Sequence, residues 1–138
     1  MSERNFIEDN QKLCELAPVI KAPLRHHVFI CNGKSCTAAG SAEVKEAFDR
    51  ELRARNMLQG KEKKGKNPMG SVVLTDCSSV GFCAIGTAVL VYPEGVWYGQ
   101  VCAEDVPEIV EEHLINGRVV QRLALIEMNE KETEDAIE

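Results

Sequence analysis

The chain has 138 residues, a length typical of one domain that buries a core without disulfides or a structural metal. The net charge is −6, yet residues 127–138 hold six acids and one lysine and so account for five of those six charges. Such a terminal block of like charge usually stays solvated and disordered. The remainder is close to neutral, and nothing in the composition indicates nucleic-acid binding.

Whether cysteines form disulfides or bind metals depends on the cellular compartment. The chain starts Met-Ser-Glu-Arg-Asn without an apolar signal region, and it has no run near the roughly 18 apolar residues of a membrane span. We therefore expect a cytosolic, soluble protein with no membrane partner. Because thiols stay reduced in the cytosol, closely spaced cysteines there indicate metal or redox chemistry before they indicate disulfides.

The first half of the chain predicts one helix outside the domain and one strand–helix unit. Residues 1–25 have apolar positions at roughly helical spacing and are interrupted by Pro18 and Pro23, which predicts a short N-terminal extension. Residues 27–30 form an apolar run typical of a buried strand that ends at Cys31. A helix should follow, with Ser41 as its N-cap. Its apolar face would consist of Val44, Ala47, Phe48 and Leu52.

The second half predicts three more strands and a closing helix. Residues 59–70 are rich in Lys and Gly and predict a flexible surface loop, after which residues 71–74 form a strand leading to Cys77. Residues 88–92 and 96–101 flank a Pro-Glu-Gly turn and predict a hairpin. The closing helix would bury Val106, Ile109, Val110 and Leu114 and stop at Gly117. Residues 119–126 fit either an extra strand or an interface arm.

This element order predicts an α/β fold. Strand, helix, strand, hairpin and helix describe a thioredoxin-like two-layer sandwich, in which two main helices cover a small mixed sheet.

Four of the six cysteines form two close pairs at predicted strand ends. Cys31 and Cys36 are separated by four residues, and Cys77 and Cys83 by five. Sulfur-only ligation selects iron–sulfur clusters or zinc. Zinc pairs usually lie about two to four residues apart, which the second pair does not satisfy, and neither pair has the Cys-x-x-Cys spacing of a dithiol oxidoreductase. A 2Fe-2S centre spreads its four thiolates more widely and fits best, with zinc left as an alternative.

The other two cysteines, the three histidines and two aromatic residues are expected to have structural roles. Cys14 and Cys102 have no partner in either cysteine loop, and a lone cysteine is more often a small buried hydrophobe than a ligand. The histidines, which are His26, His27 and His113, are expected to be polar residues at element ends. Trp97 and Tyr98 are expected to pack in the core, with a dimer contact as the alternative.

The same residues resemble a known family. The run Cys31-Asn-Gly-Lys-Ser-Cys36 before a helix, then Cys83, and then Val-Tyr-Pro-Glu-Gly-Val-Trp-Tyr-Gly at residues 91–99 resemble the thioredoxin-like 2Fe-2S ferredoxins. The similarity covers about residues 26–120, and the hairpin run is its most specific part. The spacing of the first cysteine pair is also similar to that of the small iron–sulfur subunit of respiratory complex I.

The resemblance implies a set of four cluster ligands, of which one is undecided. Ligands fall on Cys31, Cys36 and Cys83, whereas the third cysteine of the family usually lies four residues before the last one. That spacing leads to Ser79 in this chain. Cys77 follows its strand as the third cysteine of the family does, so we expect Cys77 to be the ligand in a longer loop, with a Ser79 oxygen as the alternative.

The resemblance also implies a function. It implies a cytoplasmic one-electron carrier rather than an enzyme, often a homodimer, which exchanges electrons with redox protein partners. Two alternatives are a relay subunit of a larger oxidoreductase and a zinc-bound interaction module. We expect an N-terminal extension at residues 1–25, the ferredoxin domain at residues 26–120, and a C-terminal extension with an acidic, disordered tail at residues 121–138.

Overall fold

A computed structural model describes residues 6–33, 38–78 and 86–128 of the chain. These residues form a mixed five-stranded sheet with the strand order β2-β1-β3-β4-β5. The strands are β1 (His26–Cys31), β2 (Val72–Cys77), β3 (Val89–Tyr92), β4 (Val96–Tyr98) and β5 (Ala124–Glu127). The helices are α1 (Asn10–Leu16), α2 (Ser41–Ala54) and α3 (Val106–Ile109), the last of which continues as a π-helix over Val110–Ile115.

Strand β1 organises the sheet, since it pairs on both sides. It runs parallel to β2 and antiparallel to β3. The crossover between the parallel strands contains α2, as the pairing of parallel neighbours requires. The predicted hairpin of β3 and β4 is confirmed, with Leu90 opposite Trp97. Strand β4 ends at Tyr98, earlier than predicted, and Gln100 already has a φ of 53° that no strand accommodates.

The core lies between the sheet and the helices. Val28 and Ile30 of β1 are fully buried, and so is Phe48 of α2. The predicted apolar face of α2 is confirmed, and so is that of the closing helix. Gly117 ends the closing helix with a φ of 73°, as expected of a residue in the left-handed region. The prediction of an α/β fold is therefore confirmed.

Two local predictions differ from the structure. Ser41 is the first helical residue rather than the N-cap, because Gly40 takes that position with a φ of 97°. Residues 59–70 form a surface turn closed by backbone hydrogen bonds, among them Gly60 N to Asn67 O at 3.1 Å and Asn67 N to Leu58 O at 2.8 Å. The turn is therefore more regular than the predicted loop.

The segment after the closing helix ends in a strand, so the choice left open by its sequence is settled in favour of a strand over residues 124–127. β5 pairs antiparallel with β4, and Val120 and Leu123 before it are buried in the core. The predicted domain boundary at residue 120 thus separates an edge strand from the sheet to which it belongs. No helix within the described ranges is both long and apolar enough to cross a membrane.

Candidate metal centre

Cys31 and Cys77 lie side by side at one edge of the sheet. Each is the last residue of its strand, and the parallel pairing of β1 with β2 puts the two residues in register. Cys31 is fully buried and Cys77 is half-buried. The Sγ of Cys31 lies 3.9 Å from the carbonyl oxygen of Ser78, and the Sγ of Cys77 lies 3.7 Å from that of Ile30. Each thiol is therefore directed toward the backbone of the neighbouring strand. We call this edge the cysteine end.

Both cysteine-bearing loops start or finish at the cysteine end. The backbone N–H of Cys31 donates to the carbonyl of Ala88 at 3.0 Å, and that of Asn32 donates to the carbonyl of Cys77 at 2.6 Å. The chain therefore leaves β2 and re-enters at β3 beside Cys31. Cys36, Cys83 and the alternative ligand Ser79 lie outside the described residues.

A polar network joins the first turns of α2 to the cysteine end. The buried Ser41 hydroxyl donates to Asn32 Oδ1 at 2.9 Å, and Asn32 Nδ2 donates to Asp76 Oδ2 at 3.3 Å. Lys45 Nζ lies 3.0 Å from Asp76 Oδ1. The hydrogen bond from Lys45 lowers the pKa of Asp76, so this carboxylate stays charged at neutral pH. The residues next to Cys31 and Cys77 are thereby fixed relative to each other.

The other two cysteines among the described residues, Cys14 and Cys102, differ in burial, although both were predicted to be buried. Cys14 is buried, as expected for a small hydrophobe. The same prediction is wrong for Cys102, which is exposed and whose Sγ donates to Asp105 Oδ2 at 3.2 Å. Cys102 precedes a helical turn, where the Asp105 carboxylate accepts both from its thiol and, at 3.1 Å, from its backbone N–H.

Comparison with known proteins identifies relatives of one kind, although no family model matches the chain. The chain is 40% identical over 109 residues to the 2Fe-2S ferredoxin of Clostridium pasteurianum, covering 73% of this chain and 96% of the relative. It is 38% identical over 107 residues to that of Aquifex aeolicus (strain VF5), covering 72% and 87%. A solved thioredoxin-like [2Fe-2S] ferredoxin from Aquifex aeolicus superposes with a TM-score of 0.61 at 34% identity, covering 76% and 94%.

The chain belongs to the thioredoxin-like 2Fe-2S ferredoxin family. The predicted family and the predicted thioredoxin-like fold are therefore confirmed. The donor chemistry of this ferredoxin fits such a cluster on the structure itself. Two soft sulfur donors come from neighbouring parallel strands, and thiolates from two loops are what an iron–sulfur cluster requires.

The opposite end of β1 holds a polar cluster that the sequence analysis missed. His113 is fully buried, with its Nδ1 2.7 Å from the Tyr98 hydroxyl and its Nε2 3.0 Å from Glu94 Oε1. His26 Nε2 lies 3.3 Å from the same oxygen. His113 lies in the last turn of the closing helix, as expected of a polar residue at an element end, but its burial was not foreseen. We call the cluster of His26, Glu94 and His113, with Tyr98 behind it, the histidine end.

One sequence signal could have revealed the burial of His113. The residue stands seven positions after Val106, on the same helical stripe as Ile109 and Val110. A histidine on an apolar stripe needs hydrogen-bond partners. Tyr98 is such a partner and is fully buried, which confirms the core prediction for this residue. Burial raises the pKa of Tyr98 to about 12, so its hydroxyl stays protonated. Because the Glu94 carboxylate accepts from Nε2 of His113, Nδ1 of the neutral ring is the acceptor for the Tyr98 hydroxyl.

Proposed function

We propose that this chain is a one-electron carrier that holds a 2Fe-2S cluster with Cys31, Cys36, Cys77 and Cys83. One observation supports the proposal most directly: Cys31 and Cys77 end two parallel strands in register, in a chain of the ferredoxin family. In this arrangement each cysteine loop would contribute two thiolates. The bound cluster would accept and release one electron at a time.

The described residues would position the thiolates and control access to them. The fully buried Cys31 would shield its side of the centre from water, whereas the half-buried Cys77 lies nearer the surface. The hydrogen bonds from Ser41 to Asn32 and from Asn32 to Asp76 would hold the two strand ends together in both oxidation states. Such fixed surroundings tune the potential and limit rearrangement during electron transfer.

The partners would be other redox proteins that dock at the cysteine end. Transient redox encounters use small interfaces steered by charge. The redox centre of the partner must also come close to the thiolates for an electron to be transferred. We also infer from the family that the chain works in the cytoplasm as a homodimer. Light scattering on the purified holoprotein tests the dimer, and a monomer at micromolar concentration would contradict it.

Chemical and spectroscopic analysis of the purified chain tests the function. We expect about two iron atoms and two acid-labile sulfides per chain, and a paramagnetic resonance signal that appears after uptake of one electron. Zinc without iron or sulfide would refute the proposal in favour of a structural module. Persistent co-purification with a large oxidoreductase at high salt would instead indicate a relay subunit.

Serine substitution of each cysteine tests the ligand set. We expect changes at Cys31, Cys36, Cys77 and Cys83 to alter the visible and resonance spectra. Cys14→Ser and Cys102→Ser serve as matched controls and should leave them intact. The variants Cys77→Ser and Ser79→Ala separate the two candidates for the third ligand. If only Ser79→Ala changes the spectra, Ser79 is the ligand and Cys77 is not.

A further inference from the structure

Three side chains of types that can bind a metal converge at the histidine end from three separate elements. His26 comes from β1, Glu94 from the turn between β3 and β4, and His113 from the closing helix. One ligand atom from each residue lies within 4.8 Å of the other two. The His113 side chain is 1% exposed and that of His26 is 8% exposed, whereas that of Glu94 is 42% exposed. The cluster is therefore held rigidly on the histidine side and is open to solvent on the carboxylate side.

The distances match a metal-coordination sphere. Metal–ligand bonds of about 2.0–2.2 Å in a tetrahedron place neighbouring ligand atoms about 3.3–3.6 Å apart. Glu94 Oε1 lies 3.0 Å from His113 Nε2 and 3.3 Å from His26 Nε2. Two of the three pairs of ligand atoms therefore already lie near bonding separations, and the third pair, between His26 and His113, lies within 4.8 Å. A fourth position would face solvent at the exposed carboxylate.

The electrostatic surroundings favour a cation. Burial is the main reason why the pKa of His26 is lowered, so that its ring is neutral at physiological pH and available as a ligand. The carboxylates of Glu127, Glu94 and Glu108 all act on the neighbouring Tyr98 hydroxyl. Arg25 acts on His26 in the opposite sense. Within the cluster itself, the Glu94 carboxylate supplies the negative charge that faces His26.

We propose that His26, Glu94 and His113 form a binding site for a divalent transition-metal ion, with Zn²⁺ as the best match, separate from the cysteine end. Two imidazoles and one carboxylate are a borderline donor set that suits zinc and disfavours Mg²⁺ and Ca²⁺. The span of β1 from His26 to Cys31 separates the two sites by about 16 Å, at about 3.3 Å per residue.

Binding requires a proton shift on each histidine, because His26 Nε2 also faces Glu94 and its proton would move to Nδ1, a buried atom with no hydrogen-bond partner among the described residues. In the metal-free protein the Tyr98 hydroxyl donates to His113 Nδ1, and the Nε2 proton of His113 faces Glu94. When Nε2 of His113 binds the ion, that proton moves to Nδ1 and faces the Tyr98 oxygen, and the Tyr98 hydroxyl hydrogen turns away. Tyr98 would thus orient the ligand from behind, as outer partners of metal-binding histidines do.

Titration of the purified holoprotein with Zn²⁺ tests the site. We expect one ion bound per chain by calorimetry, with an affinity at least about tenfold weaker in Glu94→Gln. Glu104→Gln is the matched control and should bind as the wild type does. The visible spectrum should stay constant throughout. Equal affinity in Glu94→Gln, no binding, or bleaching of the spectrum in step with zinc uptake would each overturn the proposal.

Histidine ring resonances give a second readout that does not depend on affinity. Zn²⁺ should shift the ring nitrogens of His26 and His113. His27 is an internal control, because its Nε2 is 2.8 Å from the Thr75 hydroxyl and it stacks on Phe29 instead. Unshifted His26 and His113 resonances at saturating zinc would show that the cluster is a hydrogen-bond network only.

Discussion

The two ends of strand β1 differ in which elements supply their side chains and in how enclosed those side chains are. At the cysteine end, Cys31 and Cys77 are delivered by two parallel strands to an edge where two loops meet. At the histidine end, His26, Glu94 and His113 meet from a strand, a turn and a helix and are mostly enclosed. The first arrangement places the half-buried Cys77 near the surface, with the fully buried Cys31 beside it. The second embeds polar groups in the core, where each must be satisfied.

Removal of the Tyr98 hydroxyl should produce the largest loss of stability. Tyr98→Phe leaves His113 Nδ1 without its donor and the Val120 N–H, 3.0 Å from the hydroxyl, without its acceptor. Because both groups are buried, we expect the free energy of unfolding to fall by about 1–3 kcal/mol. Denaturant unfolding measures the change, and the visible spectrum should not respond.

Tyr92→Phe provides the matched control for this prediction. Tyr92 lies on the same hairpin, but its side chain is exposed. We expect its free energy of unfolding to stay within about 0.5 kcal/mol of the wild type. Equal effects of the two substitutions would mean that the buried network at the histidine end contributes nothing specific to stability.

The contrast between the two ends also explains what the sequence could predict. Cys31 and Cys77 could be singled out because each follows a predicted strand and has a second cysteine within six positions, which are local signals even though the two residues are 46 positions apart. His26, Glu94 and His113 are separated by 68 and 19 positions along the chain, and only the packing of the helix on the hairpin brings them together. β5 was undecided for a similar reason, since an apolar segment of four to eight residues becomes a strand only when a free edge such as β4 accepts it.

Ser41→Ala should weaken the cysteine end moderately. The variant removes the hydrogen bond to Asn32 Oδ1, and because Asn32 is exposed, water can replace part of that bond. We expect a loss of about 1 kcal/mol in unfolding free energy. Bleaching by a chelator should also be faster than in the wild type. Ser71→Ala, at the other end of β2, is the control, and equal bleaching rates in both variants would show that Ser41 does not anchor the centre.

Lys45→Gln should change stability little and redox behaviour more. Lys45 and Asp76 form an exposed ion pair, and such pairs typically contribute less than about 1 kcal/mol. Without the ammonium group, the negative charge next to Cys77 is no longer balanced, so addition of an electron becomes less favourable and the reduction potential falls. Voltammetry at low and high salt measures the shift, which salt should reduce. Lys21→Gln is the control, and an identical potential in Lys45→Gln would place Lys45 outside the electrostatic reach of the centre.

The smallest expected effect is kinetic and concerns Cys102, a thiol outside both ends. The hydrogen bond to Asp105 is the main reason why the pKa of Cys102 is raised, so at pH 8 less of this exposed thiol is in the reactive thiolate form. Asp105→Asn removes the negative charge, and alkylation of Cys102 by iodoacetamide should become faster, with a rate–pH profile displaced toward lower pH. Mass spectrometry of the modified peptides measures the rate, and Glu46→Gln, at an exposed position that does not act on Cys102, controls for a general change in charge. Cys31 should stay unmodified in the holoprotein under the same conditions, because it is fully buried and would be bound to iron. Alkylation of Cys31 as fast as that of Cys102 would contradict the assignment of Cys31 to the centre.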